Sequence, residues 1–276
     1  MSLERISFGC VPHLDDEHAR ERLLRLCLAL GQALGIPVLP HGAISPTALA
    51  SAFGAGAVDL VWASPTLVLL SPELRACVPI VSAVREGAAH YHGVLFVRRD
   101  SPIRNALGLR GGRAAWVAPT SAAGYIFPRA TLASQGLDPH GLFSQEVFLH
   151  SHGAVARAVL DGNADVGATF AIFEGGEATR PLLRAGFSEV AATDDARIVL
   201  ATPPIPADML VASPRLVNAI GASAIADALH LLPQAPKLRE AVRDVLGAED
   251  FARCMPRLLD ALRAQLDDAR ALGALD

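Results

Sequence analysis

Short apolar runs alternate with longer amphipathic segments along this chain, and glycine or proline separates most of them. The apolar runs lie at 5–11, 58–63, 78–84 and 114–117, and their length predicts buried strands. Apolar residues at helical spacing predict helices at about 15–35 and 46–55, with three more at 213–232, 236–246 and 249–272. Because strands and helices alternate, the pattern indicates an α/β protein with mainly parallel sheets.

The ends of the predicted strands are the first candidates for a binding site. Parallel sheets bind ligands outside the carboxyl ends of their strands. The loop after the first strand contains His13, and the loop after the 58–63 strand contains Ser64. Both residues are therefore candidate ligand contacts.

The turn at 118–124 carries the strongest local signal for an anion site. It follows the apolar run at 114–117, and either Thr120 or Ser121 can cap the helix predicted after it. Whatever N–H groups the cap leaves unpaired point outward with the positive end of the helix dipole. Such a turn binds anions readily.

Small residues follow the cap. Ala122, Ala123 and Gly124 carry almost no side chain, so a ligand can approach their backbone closely. Pro128 lies about two turns into the predicted helix, where it removes the hydrogen bond to the Gly124 carbonyl. We expect the helix to bend at that glycine.

Further motifs surround this turn in a fixed order. They are Tyr91, Arg98-Arg99-Asp100-Ser101, Leu109-Arg110-Gly111, the 118–124 turn with Pro128, Ser151-His152, and the segment from Gly162 to Gly167. This ordered set resembles the phosphonate/phosphite-binding family of ABC-transporter solute-binding proteins. The resemblance covers about 91–168 well and the flanks in outline.

The turn itself departs from that family's pattern. Where the family has Asp-Pro-x-Ser-Thr-Ser, this chain has Ala118-Pro119-Thr120-Ser121-Ala122-Ala123, so the Asp and two hydroxyls are missing. The family also places a ligand-facing Tyr in a region where this chain, between Pro40 and Phe53, has none.

The resemblance implies a two-lobed, type II periplasmic-binding-protein-like fold that closes by hinge bending. We expect lobe one at 1–86 and 198–276, including the C-terminal helices, and an inserted lobe two at 90–192 that carries the anion turn. Two chain crossings, at 87–90 and 193–197, would form the hinge.

The resemblance also implies a function, which is to capture a small organic anion between the lobes for an ABC-transporter permease. A periplasmic or extracytoplasmic location follows from it, although the chain opens with Met1-Ser2-Leu3 and no signal peptide. A cytoplasmic domain that senses a metabolite is the alternative. No enzyme activity and no cofactor are expected.

The predicted contacts in lobe two begin with Ser121 and the amides of Ala122 and Ala123, with Thr120 as the alternative cap. His152 lies in the first turn of the next predicted helix, where the dipole disfavours its protonation. Tyr91 starts the strand after the first crossing, and the family match gives it the same role.

Two histidines and two phenylalanines lie near these contacts. His90 and His92 flank Tyr91 on a predicted strand, so they face the side opposite to it. They could share a metal, but no third ligand with suitable spacing follows, so we expect surface or cleft residues and no metal. Phe170 and Phe173 would add an apolar wall if they face the cleft.

Composition excludes several classes of protein. The net charge of −4 and the single lysine among 24 basic residues provide no basic footprint for nucleic acid or an acidic membrane. No apolar run is long enough to span a bilayer. We expect a monomer without nucleic-acid partners or membrane insertion.

The four cysteines show no CxxC spacing, so we expect free thiols. Cys10 ends the first strand, and His13 follows closely, which makes a thiol enzyme the third hypothesis. No carboxylate to orient the histidine follows from the sequence.

The nature of the anion depends on the number of donors. A phosphonate has three oxygens and up to two charges, and it needs more donors than this turn offers. A planar carboxylate needs fewer, and the methyl groups of Ala122 and Ala123 would accept an apolar portion. The sequence therefore favours a carboxylate slightly over a phosphonate or phosphate ester.

Overall fold

The computed structural model describes residues 3–11, 17–190 and 192–275. Its strands are β1 (Ile6–Cys10), β2 (Val38–Gly42), β3 (Leu60–Ala63), β4 (Val78–Val84), β5 (His90–Arg98), β6 (Arg113–Trp116), β7 (Gln145–Phe148), β8 (Val166–Phe173), β9 (Leu182–Ala185), β10 (Ala196–Ala201), β11 (Ile205–Pro206), β12 (Met209–Ala212) and β13 (Asp250–Arg253). Its α-helices are α1 (Glu17–Leu34), α2 (Pro46–Gly54), α3 (Pro65–Leu70), α4 (Phe127–Ser134), α5 (Pro139–Leu142), α6 (His152–Leu160), α7 (Pro214–Ile220), α8 (Ala222–Leu231), α9 (Pro236–Leu246) and α10 (Pro256–Ala271). A π-helical turn, Ala122–Ile126, precedes α4.

Contacts between residues divide the chain into two compact units. Unit 1 comprises Met1–Ala89 and Pro206–Pro256, and unit 2 comprises His90–Ile205 and Arg257–Asp276. The chain thus passes between them at three points, whereas the sequence predicts two.

Two segments lie in unit 2 although the sequence predicts them in lobe one. Strand β10 pairs along β5, which starts unit 2. Helix α10 contacts α4, because the Gln265 side-chain amide donates to Thr131 Oγ1 at 3.1 Å. After the end of α10, the Ala274 carbonyl oxygen accepts from Arg129 Nε of α4 at 3.0 Å. These pairings join residues that are distant in sequence, so no local pattern indicates them.

Unit 1 has a six-stranded sheet in the order β13-β4-β12-β3-β1-β2. Strand β1 runs parallel to β2 and β3, whereas β12 and β13 run antiparallel to their neighbours. The buried core includes Leu26 of α1, Ile225 of α8 and Val242 of α9. Asp59 joins two strands, because its carboxylate accepts from Ser7 N at 3.0 Å.

Unit 2 has a sheet in the order β10-β5-β8-β6-β7, with β9 beside β8. Strands β6, β7 and β8 are parallel, and β5, β9 and β10 are antiparallel to their partners. One buried cluster includes Phe96 and Val155 of α6, and another includes Trp116 and Leu132 of α4. Asp165 anchors the start of β8 to β6, because it accepts from Arg113 N at 2.8 Å.

Both sheets are therefore mixed, and the expectation of mainly parallel sheets is corrected. Two of the antiparallel strands, β12 and β13, lie far along the chain from the strands they pair with.

The C-terminal third differs from the three predicted helices. The predicted 213–232 helix breaks at Gly221, whose φ of +85° lies outside the helical region. The predicted 249–272 helix opens with the strand β13, which pairs with β4, and becomes helical only at Pro256.

Among residues 3–11, 17–190 and 192–275, no single helix is both long and apolar enough to cross a membrane. The helix pair Pro214–Ile220 and Ala222–Gln234, which is bent at the break between its members, reaches the required length and apolarity only when the two helices are taken together.

Candidate functional site

The predicted anion turn begins just after β6 ends. Ser121 Oγ accepts from Gly124 N at 3.1 Å, and the first helical bond runs from Ile126 N to Ser121 O at 3.0 Å. That spacing of five residues makes the turn π-helical. The amides of Ala122 and Ala123 precede the bond, so they have no acceptor within the turn and can donate to an anion.

The position of Pro128 explains this turn. The α-helix begins only at Phe127, so the proline lies in its first turn, where a missing N–H costs little, and not two turns into a helix as predicted. The Gly124 carbonyl, which has no N–H to accept from Pro128, accepts instead from Val117 N at 3.1 Å. A Cβ on Gly124 would lie 2.4 Å from Val117 Cγ2, so only glycine allows this close approach.

Ser121 is the cap, and Thr120 is not. The Ser121 oxygen accepts from the Gly124 amide, while Thr120 is exposed beside it. The capping bond does not use the hydroxyl proton of Ser121, which can therefore be donated to an anion. The two predicted roles of Ser121, cap and ligand contact, are compatible.

Tyr91 lies at the same edge of the unit 2 sheet as this turn. Strand β5 is antiparallel to β8, which is parallel to β6, so the start of β5 lies at the same edge of the sheet as the carboxyl end of β6. A Cβ on Gly93 would lie 3.2 Å from Ala123 Cα. Because alternate residues of a strand share a face, half-buried Tyr91 lies on the side of the turn.

His152 lies at the next strand exit. His150 N donates to Val117 O at 2.8 Å, which joins the exit of β7 to that of β6. His152 then starts α6, and its Nδ1 lies 2.9 Å from Thr169 Oγ1. Burial lowers the pKa of His152 despite the opposing effect of the Glu189 carboxylate, so the ring is neutral at pH 7. The sequence attributes this to the helix dipole, but burial is the main cause.

The two phenylalanines have different surroundings. The Phe170 ring meets the His152 ring edge to face, with centroids 5.1 Å apart, and is half-buried. Phe173 is buried and packs against His92, so the condition set for it, a ring that faces a cleft, is not fulfilled. His92 itself is only 3% exposed, so the expectation of a surface or cleft residue is wrong for it.

Two of the predicted contacts belong to unit 1. Ser64 is exposed at the carboxyl end of β3, and its hydroxyl caps α3 by accepting from Leu67 N at 3.3 Å. His13 lies outside the described residues. Unit 2 therefore holds Ser121, both alanine amides, Tyr91 and His152 at one edge of its sheet.

The cysteine chemistry does not fit a nucleophile. Cys10 is 1% exposed, and burial raises the pKa of its thiol to about 11. Burial, with Cys10 nearby, raises the pKa of Cys27 to about 12. A thiol that is enclosed and protonated at neutral pH is a poor catalyst. The four cysteines are free thiols.

A pocket of about 590 Å³ in unit 2 lies at the end of the sheet opposite to the anion turn. It is lined by Arg98, Arg99, Asp100, Arg157, Leu160, Asp161, Val190, Asp194 and Asp195. Within it Arg98 and Asp100 form a bidentate pair, with distances of 2.7 and 3.0 Å. None of the predicted ligand contacts lies in this pocket.

The sequence reasoning does not identify three residues that shape the site. Thr169 is fully buried and orients His152. Gly186 leaves room for this pair, because a Cβ there would lie 2.0 Å from Thr169 Oγ1. Gly93 leaves room for the turn. Each acts through a contact between distant residues, for which the sequence carries no signal.

Several solved structures are similar to this chain. XAC2383 from Xanthomonas citri bound to ATP is 22% identical, with a TM-score of 0.71, and the match covers 98% of this chain and 99% of that one. PhnD1 from Prochlorococcus marinus in complex with methylphosphonate is 17% identical, with a TM-score of 0.59 and 99% coverage of both chains. The aliphatic sulphonate binding protein SsuA from Escherichia coli is 15% identical, with a TM-score of 0.58 and coverage of 98% and 93%. These likenesses confirm the predicted type II periplasmic-binding-protein fold.

The sequence also matches a protein family directly. Residues 8–256 match the family described as ABC transporter, phosphonate, periplasmic substrate-binding protein. Members of this class bind solutes and are not enzymes. The match spans far more than half of the 276 residues and includes the strands and turns described above. The chain therefore belongs to the phosphonate-binding family of ABC-transporter periplasmic substrate-binding proteins.

Proposed function

We propose that this protein binds a small organic anion at the 121–124 turn and delivers it to the permease of an ABC transporter. The observation that carries the proposal is the pair of amides, Ala122 and Ala123, that precede the first hydrogen bond of the turn beside the Ser121 hydroxyl. Backbone N–H groups at the start of a helix, together with its dipole, bind anions.

His152 supports the same location. Its Nδ1 is held by Thr169, so its Nε2 is the nitrogen available to a ligand. Because burial lowers the pKa of His152, the ring provides a neutral donor or acceptor and not a second positive charge.

The ligand that suits this site is a carboxylate, with phosphonate or phosphate ester second. The turn offers two amides and one hydroxyl, which match the two oxygens of a carboxylate better than the three oxygens of a phosphonate. The half-buried Phe170 ring and the methyl group of Ala122 can contact an apolar portion. The relatives bound to methylphosphonate and ATP support the alternative, because their ligands contain phosphorus oxyanions.

Calorimetry with matched ligands tests this proposal. Benzoate should bind more tightly than phenylphosphonate, and acetate more tightly than methylphosphonate. Ser121→Ala and His152→Ala should each weaken binding by about tenfold or more, since a hydrogen bond to a charged group contributes about 1.5–3 kcal/mol.

The matched control is Ser213→Ala. Ser213 caps α7 in unit 1 by accepting from Leu216 N at 3.2 Å, so its loss removes a similar capping bond away from the turn. The affinity of the Ser213→Ala variant for the same ligands should equal that of the wild type. Unchanged affinity in Ser121→Ala and His152→Ala would show that the anion binds elsewhere, and tighter phosphonate binding would reverse the ligand order.

The natural setting is also part of the proposal. Family membership supports action in the periplasm with an ABC-transporter permease. We propose that the protein acts there as a monomer and, with a net charge of −4, without a nucleic-acid partner. Light scattering should give a mass near 28.9 kDa, and a dimer mass would contradict the monomer.

A further inference from the structure

Arg129 is a buried charged residue that is not among the proposed ligand contacts. It lies in the first turn of α4, soon after the π-helical turn Ala122–Ile126, and it is only 2% exposed. Its guanidinium pairs with the Glu146 carboxylate, since Nη1 lies 2.6 Å from Glu146 Oε2. A buried ion pair of this kind stabilises a fold no better than well-packed apolar side chains do. Stability alone therefore does not explain an arginine at this position.

The guanidinium contacts three segments around the anion turn. Besides Glu146 on β7, its Nε donates to Ala274 O of the C-terminal segment at 3.0 Å. Its Cζ lies 5.2 Å from the centre of the Tyr125 ring, within the range of a cation–π contact. Tyr125 belongs to the π-helical turn itself. Arg129 thus joins the turn to β7 and to the C-terminal segment.

The Tyr125 ring also meets aromatic side chains from the two strands beside the turn. Its centroid lies 5.4 Å from that of Trp116, which ends β6, and 5.0 Å from that of Phe148, which ends β7. The Trp116 Nε1 donates at 2.7 Å to Glu146 Oε2, the same oxygen that Arg129 contacts. One carboxylate oxygen therefore holds two of the side chains that contact the Tyr125 ring.

The position of Tyr125 affects the donors of the anion site. Tyr125 lies two and three residues after Ala123 and Ala122, in the same π-helical turn as their amides. A single π-helical turn is rare in proteins and frequent at functional sites. Because its own hydrogen bonds are few, contacts from outside the turn decide how firmly its amides are held toward a ligand.

We propose that Arg129 is a positioning residue of the anion site, which holds Tyr125, and with it the amides of Ala122 and Ala123, against β7 and the C-terminal segment. The inference rests on the proposed binding of an anion at this turn. Donors that are fixed before the ligand arrives bind more tightly than donors that the ligand has to order, because the ordering costs free energy. The C-terminal segment therefore supports the ligand site, although Ala274 lies 145 residues after Arg129 in the chain.

Calorimetry on Arg129→Met tests this role, with the tighter-binding of benzoate and phenylphosphonate as the probe. Methionine keeps an unbranched side chain but removes the charge and the donors. The Glu146 side chain is 29% exposed, so water can solvate it in this variant. The variant should bind the probe about threefold to tenfold more weakly than the wild type.

Two further measurements separate positioning from support of the fold. The Ile126 amide, which donates to Ser121 O, should exchange its proton with solvent faster in Arg129→Met than in the wild type. Arg129→Lys keeps the charge but not the planar fork, so its affinity should lie between those of Arg129→Met and the wild type.

The matched control is Arg113→Met, at the start of β6 in the same unit. Arg113 also pairs with a carboxylate, since its Nε and Nη2 lie 3.0 and 2.9 Å from the Asp165 oxygens, but it lies at the end of β6 away from the turn. The Arg113→Met variant should keep the wild-type affinity for the probe and the wild-type exchange rate of the Ile126 amide. Circular dichroism checks the folding of both variants. If Arg129→Met does not fold, Arg129→Lys against Arg113→Lys provides the same comparison.

Three outcomes would overturn the proposal. Wild-type affinity in Arg129→Met, while Ser121→Ala weakens binding, would remove the positioning role and leave the anion site in place. Unchanged affinity in both variants would remove the anion site and this role with it. An equal loss of affinity in Arg113→Met and Arg129→Met would show that Arg129 supports only the fold of the unit.

Discussion

Gly124→Ala should unfold at a clearly lower urea concentration than the wild type and should lose the anion site. The new Cβ would lie 2.4 Å from Val117 Cγ2, 2.5 Å from Val117 Cβ and 2.8 Å from Ser121 Oγ. Val117 ends a buried region and is 8% exposed, so the turn has to move away from it. Overpacking and the loss of the Ser121 cap together should lower the free energy of unfolding by about 2–4 kcal/mol.

The matched control is Gly141→Ala, in α5 of the same unit. A Cβ there would meet only Asp138 Oδ2, at 3.6 Å, and the residue is not among the glycines with positive φ. This variant should unfold like the wild type and bind the same ligand. A Gly124→Ala protein with unchanged stability and affinity would show that the turn is not held against Val117.

Gly186→Ala should displace His152 and weaken ligand binding about as much as His152→Ala does. The added Cβ would lie 2.0 Å from Thr169 Oγ1 and 3.0 Å from His152 Cβ. Thr169 is fully buried and β-branched, so its hydroxyl cannot easily turn aside. The strain should lower the free energy of unfolding by about 1–3 kcal/mol.

Proton NMR of the His152 ring provides a direct measurement. Burial lowers the pKa of His152 in the wild type, so a displaced and more hydrated ring should titrate at higher pH, closer to the ordinary value. The double variant Gly186→Ala/Thr169→Ala removes the overlap with the threonine hydroxyl but not the 3.0 Å approach to His152 Cβ, so it should regain part of the stability without regaining affinity. A pKa and an affinity equal to the wild type in Gly186→Ala would contradict the contact.

Much of the anion turn could be predicted from the sequence. The turn depends on residues that are close in sequence, namely the Ser121 cap, the small residues after it and the proline. Local interactions of this kind can be predicted from one sequence. Even there, the sequence places Pro128 two turns into a helix, while the structure places it in the first turn of α4. The difference arises because the strand residue Val117, and not a helical N–H, satisfies the Gly124 carbonyl.

The sequence by itself determined the alternation of strands and helices in the first part of the chain, the two-unit α/β class and the family, because these depend on periodicity and ordered motifs. Tertiary structure alone decided that 250–253 is a strand, since its hydrogen-bonding partner β4 lies more than 160 residues earlier in the chain. It also decided that His152 rests on Thr169 and that His90 and His92 meet at Gly176. Such contacts depend on backbone positions and on sheet register. The residues that make these contacts carry no local sequence pattern from which the contacts could be predicted.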